Sequence, residues 1–154
     1  MKEILDDARF VMMLTRTPTG ELHARPMSIA RVSDDGTLYF STSVDSVKVD
    51  ELDADPRVDL VFQARTQYCH VAGTATCSRS RALIDELWQA DWKLWYPGGK
   101  DDPQILILAV TPTSAEYWDQ SGTRGLSFLY RAAKAIMKGE EMETKPEDHG
   151  KVAL

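Results

Sequence analysis

The hydrophobic pattern opens with Phe10-Val11-Met12-Met13-Leu14, a five-residue apolar run suited to a buried strand and preceded by a short helix over Glu3 to Ala8. Pro18 to Gly20 marks a turn, and residues 22–32 then predict a long second strand. Asp34-Asp35-Gly36 is a hairpin signal, followed by a third strand over Leu38 to Thr42. Ser46 to Ala54 predicts a helix closed by Asp55-Pro56. Strands follow at 57–63 and 67–77; in the second, Cys69, Val71, Gly73, Ala75 and Cys77 alternate with a more polar set. Arg81 to about Trp95 predicts a helix with Leu83, Ile84, Leu87 and Trp88 on one face. The six-residue run Ile105 to Val110 predicts another buried strand, and Glu116-Tyr117-Trp118 a short last one.

Helices interrupt this succession only twice. The order predicts a mainly β, antiparallel meander, and closing it into a small barrel would remove its edges. Residues 126–138 add an amphipathic helix: Leu129, Ala132, Ala133, Ile136 and Met137 form one side, and Arg131, Lys134 and Lys138 the other. The acidic tail after it (Glu140, Glu141, Glu143, Glu147, Asp148) would be repelled by anionic lipid, so docking on protein is favoured over a membrane surface. The expected organisation is a barrel domain over residues 1–120 and a C-terminal helix and tail over 121–154.

Composition changes this picture little. With 154 residues, 43% hydrophobic and 27% charged, the chain suits one globular domain. The net charge of −6 disfavours a broad nucleic-acid-binding face. No apolar run approaches the ~18 residues of a membrane-spanning helix, and the acids of MKEILDDARF do not suit a secretory signal, which leaves a cytoplasmic location as the expectation. Cys69 and Cys77 are eight residues apart in one strand, about 26 Å at ~3.3 Å per residue, so they are expected to be reduced. His23, His70 and His149 are scattered and show no zinc spacing, and no metal site is expected.

Candidate chemistry gathers in one stretch. Arg25-Pro26 interrupts the second strand, where proline removes a ladder hydrogen bond and an inward arginine needs a partner. His23, Arg25, Met27, Ile29 and Arg31 share one face of that strand, which is either solvated or built around an anion. Ser41, Thr42 and Ser43 end the next strand with three hydroxyls, Ser46 stands at a helix N-cap, and Lys48 falls in the first turn. A helix N-terminus already attracts anions, and a lysine there opposes the helix dipole unless an anion offsets it. The combination points to a phosphate-bearing ligand.

Other signatures are missing. No Gly-x-Gly-x-x-Gly or Gly-x-Ser-x-Gly occurs, and Gly98-Gly99-Lys100 is followed by aspartate and lacks the leading glycine of a P-loop. No pair of carboxylates stands out as catalytic. Trp88, Trp92 and Trp95 are spaced to line one helix face, and Trp95-Tyr96-Pro97-Gly98-Gly99 is an aromatic loop able to cover a flat ring.

Several motifs in order resemble the pyridoxamine 5'-phosphate oxidase-like FMN-binding split barrels, and within them the general stress protein 26-like branch. They are Arg25-Pro26-Met27, Asp35-Gly36 with Phe40-Ser41-Thr42, Ser46-x-Lys48 with Glu51-Leu52 and Asp55-Pro56, Val71-x-Gly73, Leu87-Trp88, Pro97-x-Gly99-x-Asp101-x-Pro103 and Glu116-Tyr117-Trp118-Asp119. The resemblance covers about residues 5–120. It implies a six-stranded antiparallel split β-barrel with flanking helices, forming a homodimer with FMN between the subunits. It further implies that Arg25 and Lys48, with Ser46 and Thr42, hold the FMN phosphate. Pro26, Met27 and Ser41 would border the ring and ribityl chain, with Trp118 approaching from the other subunit.

The oxidases of this family carry Ser-Arg-Lys where this chain has Ser46-Val47-Lys48, and their C-terminal Trp and Arg motif has no match, which argues against vitamin B6 oxidation. The resulting expectation is an FMN-binding stress-type protein, either an oxidoreductase using NAD(P)H or another donor on an unknown small molecule, or a flavin carrier or sensor working through a partner. Relatives of the barrel that take deazaflavin or haem set a third reading, for which only His23 and His70 would be haem ligands.

Overall fold

Ladders between strands distant in sequence build the molecule around one antiparallel sheet. The computed structural model describes residues 10–64, 67–119 and 149–153. Within them the strands are β1 (Phe10–Arg16), β2 (Leu22–Ser28), β3 (Arg31–Val32), β4 (Leu38–Ser43), β5 (Arg57–Ala64), β6 (Gln67–Ser78), β7 (Ile105–Asp119) and β8 (His149–Ala153). Two α-helices accompany them, α1 (Val47–Ala54) and α2 (Arg81–Leu87), with 3-10 turns at Ala90–Leu94 and Gly99–Asp101. The sheet order is β2-β1-β5-β6-β7-β4-β3, with β8 added on β7. The expected helices at 3–8 and 126–138 lie outside the described residues, and no described helix is long and apolar enough to cross a membrane.

The class is the expected one, a mainly β curled antiparallel sheet with flanking helices. The expected six strands become six long ones plus the two-residue β3 and the C-terminal β8. β3 exists because the predicted strand over 22–32 breaks at Ile29-Ala30: β2 pairs with β1, whereas Arg31 and Val32 pair with Tyr39 and Leu38 of β4. Consecutive residues therefore sit at opposite ends of the sheet order. The chain itself joins the two margins, while β2 and β4 approach within 8 Å between Cα atoms without sharing a ladder. That seam is the split in the barrel. β8 comes from His149-Gly150-Lys151-Val152-Ala153, beyond the boundary drawn at residue 120, and its sequence carries no alternation that announces a strand.

Pro26 lies on β2, a margin strand whose ladder runs on one side only, so its missing N–H is tolerated. The predicted breaks at 111–115 are absent, because β7 runs unbroken through Pro112. The ladder to β6 absorbs that proline with a register shift between Ala72 and Gly73, and Gly73 faces Pro112. A Cβ on Gly73 would stand 2.6 Å from the Thr111 carbonyl oxygen. Gly73→Ala should therefore destabilise the protein by about 1–3 kcal/mol, read as a lower denaturation midpoint.

Met13, Leu38, Phe40, Val58, Leu60, Phe62, Val71 and Leu108 fill the interior. β1 corrects the expectation of a strand buried on both faces: Val11 and Met13 point inward, but Phe10 and Met12 are exposed. The Ile105–Val110 run is covered on both sides. Leu106, Leu108 and Val110 join the main core, while Ile105 and Ile107 pack with Ile84, Leu87, Trp92 and Tyr96.

The helix expected over 81–95 ends at Leu87. Trp88 adopts an extended conformation, and the Gln89 side chain donates to the Ala30 carbonyl at 2.9 Å, bracing the crossover between β2 and β3. The tryptophans consequently separate: Trp92 is buried edge-on between Trp88 and Tyr96, whereas Trp95 is 79% exposed.

Candidate functional site

The seam between β2 and β4 opens into a cleft of about 500 Å³, a size suited to a small ligand. Its β2 wall is Pro26, Met27 and Ser28, and its β4 wall is Ser41, Thr42 and Ser43. Lys48 lines it from α1, with Phe10, Trp95 and Tyr96 supplying aromatic surface. The β4 wall and Lys48 come together for local reasons. Alternation on β4 sends Leu38, Phe40 and Thr42 inward, and the chain then turns through Ser43 to Asp45 to start α1 directly beside that strand end.

Ser46 is the N-cap residue of α1, as expected, yet its side chain makes no capping bond. Instead the Lys48 ammonium donates to Ser46 Oγ at 2.6 Å and to Thr42 Oγ1 at 2.8 Å. Both partners are neutral. Burial pushes the Lys48 amine down, Arg25 adds to that, and Glu51 works against it. A half-buried cation in the first turn of a helix, whose hydrogen-bond partners among the described residues are two neutral hydroxyls, suits an anion. Tyr96 is buried beside it, and burial raises its phenol pKa against an opposing hydrogen bond with Ser41.

Arg25 has a different immediate environment from the expected one. Its Nη1 donates to Thr15 Oγ1 at 2.7 Å and its Nη2 to Glu51 Oε2 at 2.9 Å. Thr15 also donates to Glu51 Oε2 at 2.5 Å, and His23 Nδ1 lies 2.5 Å from Glu51 Oε1. The inward arginine thus finds its partner in a carboxylate that is 3% exposed. Burial by itself would raise the Glu51 pKa, but the bonds from Thr15, Arg25 and His23 outweigh it and hold the carboxyl below the ordinary value of 4.5.

A lowered folded pKa means that Glu51 contributes stability above the ordinary carboxyl value and that this is lost as pH falls through the folded one. Melting temperature should drop progressively below about pH 4.5. The stability difference between the native protein and Glu51→Gln should narrow over the same range, and a difference independent of pH would contradict this assignment.

Of the residues named from sequence, Pro26, Met27, Ser41, Thr42 and Lys48 line the cleft together. Ser46 touches it through Lys48, and Arg25 stands one residue from its wall, bonded to Glu51. Trp118 is elsewhere. It pairs with Tyr68 on the part of β7 remote from Ile107, the residue opposite Ser41, with eleven residues or about 36 Å of strand between them. Thr15 and Phe10 were not legible as site residues, since each reads as ordinary strand. Glu51 was legible only as part of a motif, although its place one turn after Lys48 puts both on one side of α1.

Comparison with known proteins places the chain. Residues 1–143 match the family model described as "Pyridoxamine 5'-phosphate oxidase like". General stress protein 26 of Bacillus subtilis (strain 168) is 30% identical over 118 residues, which cover 72% of this chain and 82% of that protein. A general stress protein 26 candidate from Jannaschia sp. CCS1 superposes with a TM-score of 0.71 at 28% identity, covering 99% of this chain and 94% of the other. The general stress FMN/FAD binding protein of Xanthomonas citri gives a TM-score of 0.67 at 27% identity, covering 79% and 92%.

Proposed function

The chain belongs to the pyridoxamine 5'-phosphate oxidase like family, and from that premise we propose that its cleft binds FMN and that the protein is a stress-type flavoprotein oxidoreductase. The observation that carries this reading is the Lys48 ammonium, half-buried at the cleft and bonded, among the described residues, to the neutral hydroxyls of Thr42 and Ser46. A phosphate accepted there would satisfy the ammonium and meet the N-terminal dipole of α1. Phe10 and Trp95, both largely exposed while lining the cleft, supply apolar surface for a flat ring. Ser28, Ser41 and Thr42 supply hydroxyls for the sugar-alcohol chain. The general stress relative from Xanthomonas citri, named for FMN/FAD binding, supports a flavin over other phosphate ligands. Bound FMN supplies hydride and single-electron transfer; the chain's part is to hold the phosphate, cover the ring and exclude water.

The same reading has two copies of the chain enclosing the flavin, in a cytoplasmic setting. Phe10, Met12 and Val61 are exposed on the outer sheet face, with Met12 directly opposite Val61, and Phe10 carries that apolar strip into the cleft. Trp118, remote from the cleft of its own chain, is assigned to the cleft of the second copy. Light scattering should give twice the mass of the 154-residue chain, and a monomer would remove this arrangement.

Purified protein should be yellow, or should take up FMN with micromolar or tighter affinity and one flavin per chain. Failure to bind any flavin in a fluorescence titration rejects the reading. NADH- or NADPH-dependent bleaching of the bound flavin supports the oxidoreductase, and its absence with every donor tried leaves a flavin carrier.

A further inference from the structure

We propose that Glu51 is a positioning residue for the anion site, orienting Arg25 so that its guanidinium and the Lys48 ammonium serve one phosphate; this rests on reading the cleft as a flavin-phosphate site. Lys48 and Glu51 are three residues apart on α1 and reach to opposite sides of the seam. Lys48 bonds Thr42 on β4, whereas Glu51 bonds Thr15 on β1 and both His23 and Arg25 on β2. One helix turn thus links β2 and β4, which share no ladder.

The bonds to Thr15 and Glu51 use two of the five guanidinium N–H groups of Arg25, whose side chain remains 22% exposed. Arg25 immediately precedes the cleft wall at Pro26, and its charge is felt at Lys48. The Glu51 carboxylate offsets one of these two cations, which leaves a net positive charge that an anion would balance.

Docking of α1 does not itself call for a buried carboxylate. Leu52, next along the helix, is already buried in the core and does that without desolvating a charge. A carboxylate with three side-chain partners at this place fixes the rotamer of an arginine, which an apolar residue could not do.

FMN and riboflavin differ only in the phosphate, so their relative affinity isolates the anion site. In the full-length native protein FMN should bind more tightly than riboflavin. In Glu51→Gln that preference should fall by roughly tenfold or more, with riboflavin affinity nearly unchanged. Equal weakening of both flavins would overturn the positioning role in favour of a merely structural one. A rise in FMN affinity would overturn it too, because Glu51 would then act only as a counter-charge that withholds Arg25. If E51Q does not fold, Thr15→Val decides, since it removes the hydroxyl that bridges Arg25 and Glu51. A preference lowered by roughly threefold supports the proposal, and an unchanged preference overturns it. Flavin binding by the native protein without preference for FMN would defeat the cleft reading and this proposal together, whereas a native preference that both variants keep defeats only the role of Glu51.

Discussion

Lys48→Met should weaken FMN binding by about 1.5–3 kcal/mol, roughly 10- to 150-fold, while leaving riboflavin affinity within about threefold of native. The prediction follows from what the ammonium touches. Its hydrogen-bond partners among the described residues, Thr42 and Ser46, are neutral hydroxyls, so neither becomes an unpaired charge when the lysine goes. The apo protein should therefore melt at nearly the native temperature, because removing a half-buried cation held by hydroxyls relieves about as much desolvation as it loses in hydrogen bonding. Arg25→Ala is a less clean probe of the same site. It strips a partner from a Glu51 carboxylate that is 3% exposed, so any loss of affinity would be mixed with loss of fold. A fluorescence titration of Lys48→Met with both flavins is the direct measurement. Unchanged FMN affinity would move the phosphate away from the start of α1.

Phe40→Ala should destabilise the protein by about 3–5 kcal/mol in urea unfolding, a large part of the 5–15 kcal/mol typical of a domain. Phe40 is fully buried at the centre of β4, opposite Leu108 of β7, within the main core. Its loss leaves a cavity that strands pinned on one side by a continuous ladder cannot readily collapse to fill. The effect should reach the cleft as well, since Ser41 and Thr42 follow directly on the same strand. Phe40→Leu keeps most of the volume and should cost about 1.5 kcal/mol or less. Comparable losses from the two variants would mean that the site repacks, contrary to this account.

The elements show which physical signals are local. The Asp34-Asp35-Gly36 hairpin forms as expected, with Gly36 at φ +86 and Thr37 bonded to the Asp35 side chain, because turn geometry is written in adjacent residues. α1 begins after Ser46 and closes at Asp55-Pro56 for the same reason. The misread places are those where a distant strand decides. Pro112 should have ended β7 on local grounds, but Gly73 across the ladder and the adjacent register shift accommodate it. The helix expected to run to Trp95 stops at Leu87, after which the chain turns extended and Gln89 bonds a carbonyl in the crossover between β2 and β3. Phe10 and Met12 looked buried because an apolar run alone does not say whether its second face will be covered.

The site divides along the same line. Sequence alone determined that hydroxyls, a cap position and a first-turn lysine stand at one strand-to-helix junction, because all of them lie within eight residues of one another. It also marked Arg25-Pro26 as an interruption of the second strand, on a face that was either solvated or built around an anion. Only the tertiary structure decided that residues 29–30 cross from one end of the sheet to the other, bringing the β2 wall against the β4 wall and opening the cleft between them. Only it decided that the partner of Arg25 is Glu51, twenty-six residues away. A buried charge finds its counter-charge wherever the chain's return path leaves one, and that path is set by the closure of the whole sheet rather than by any neighbouring residue.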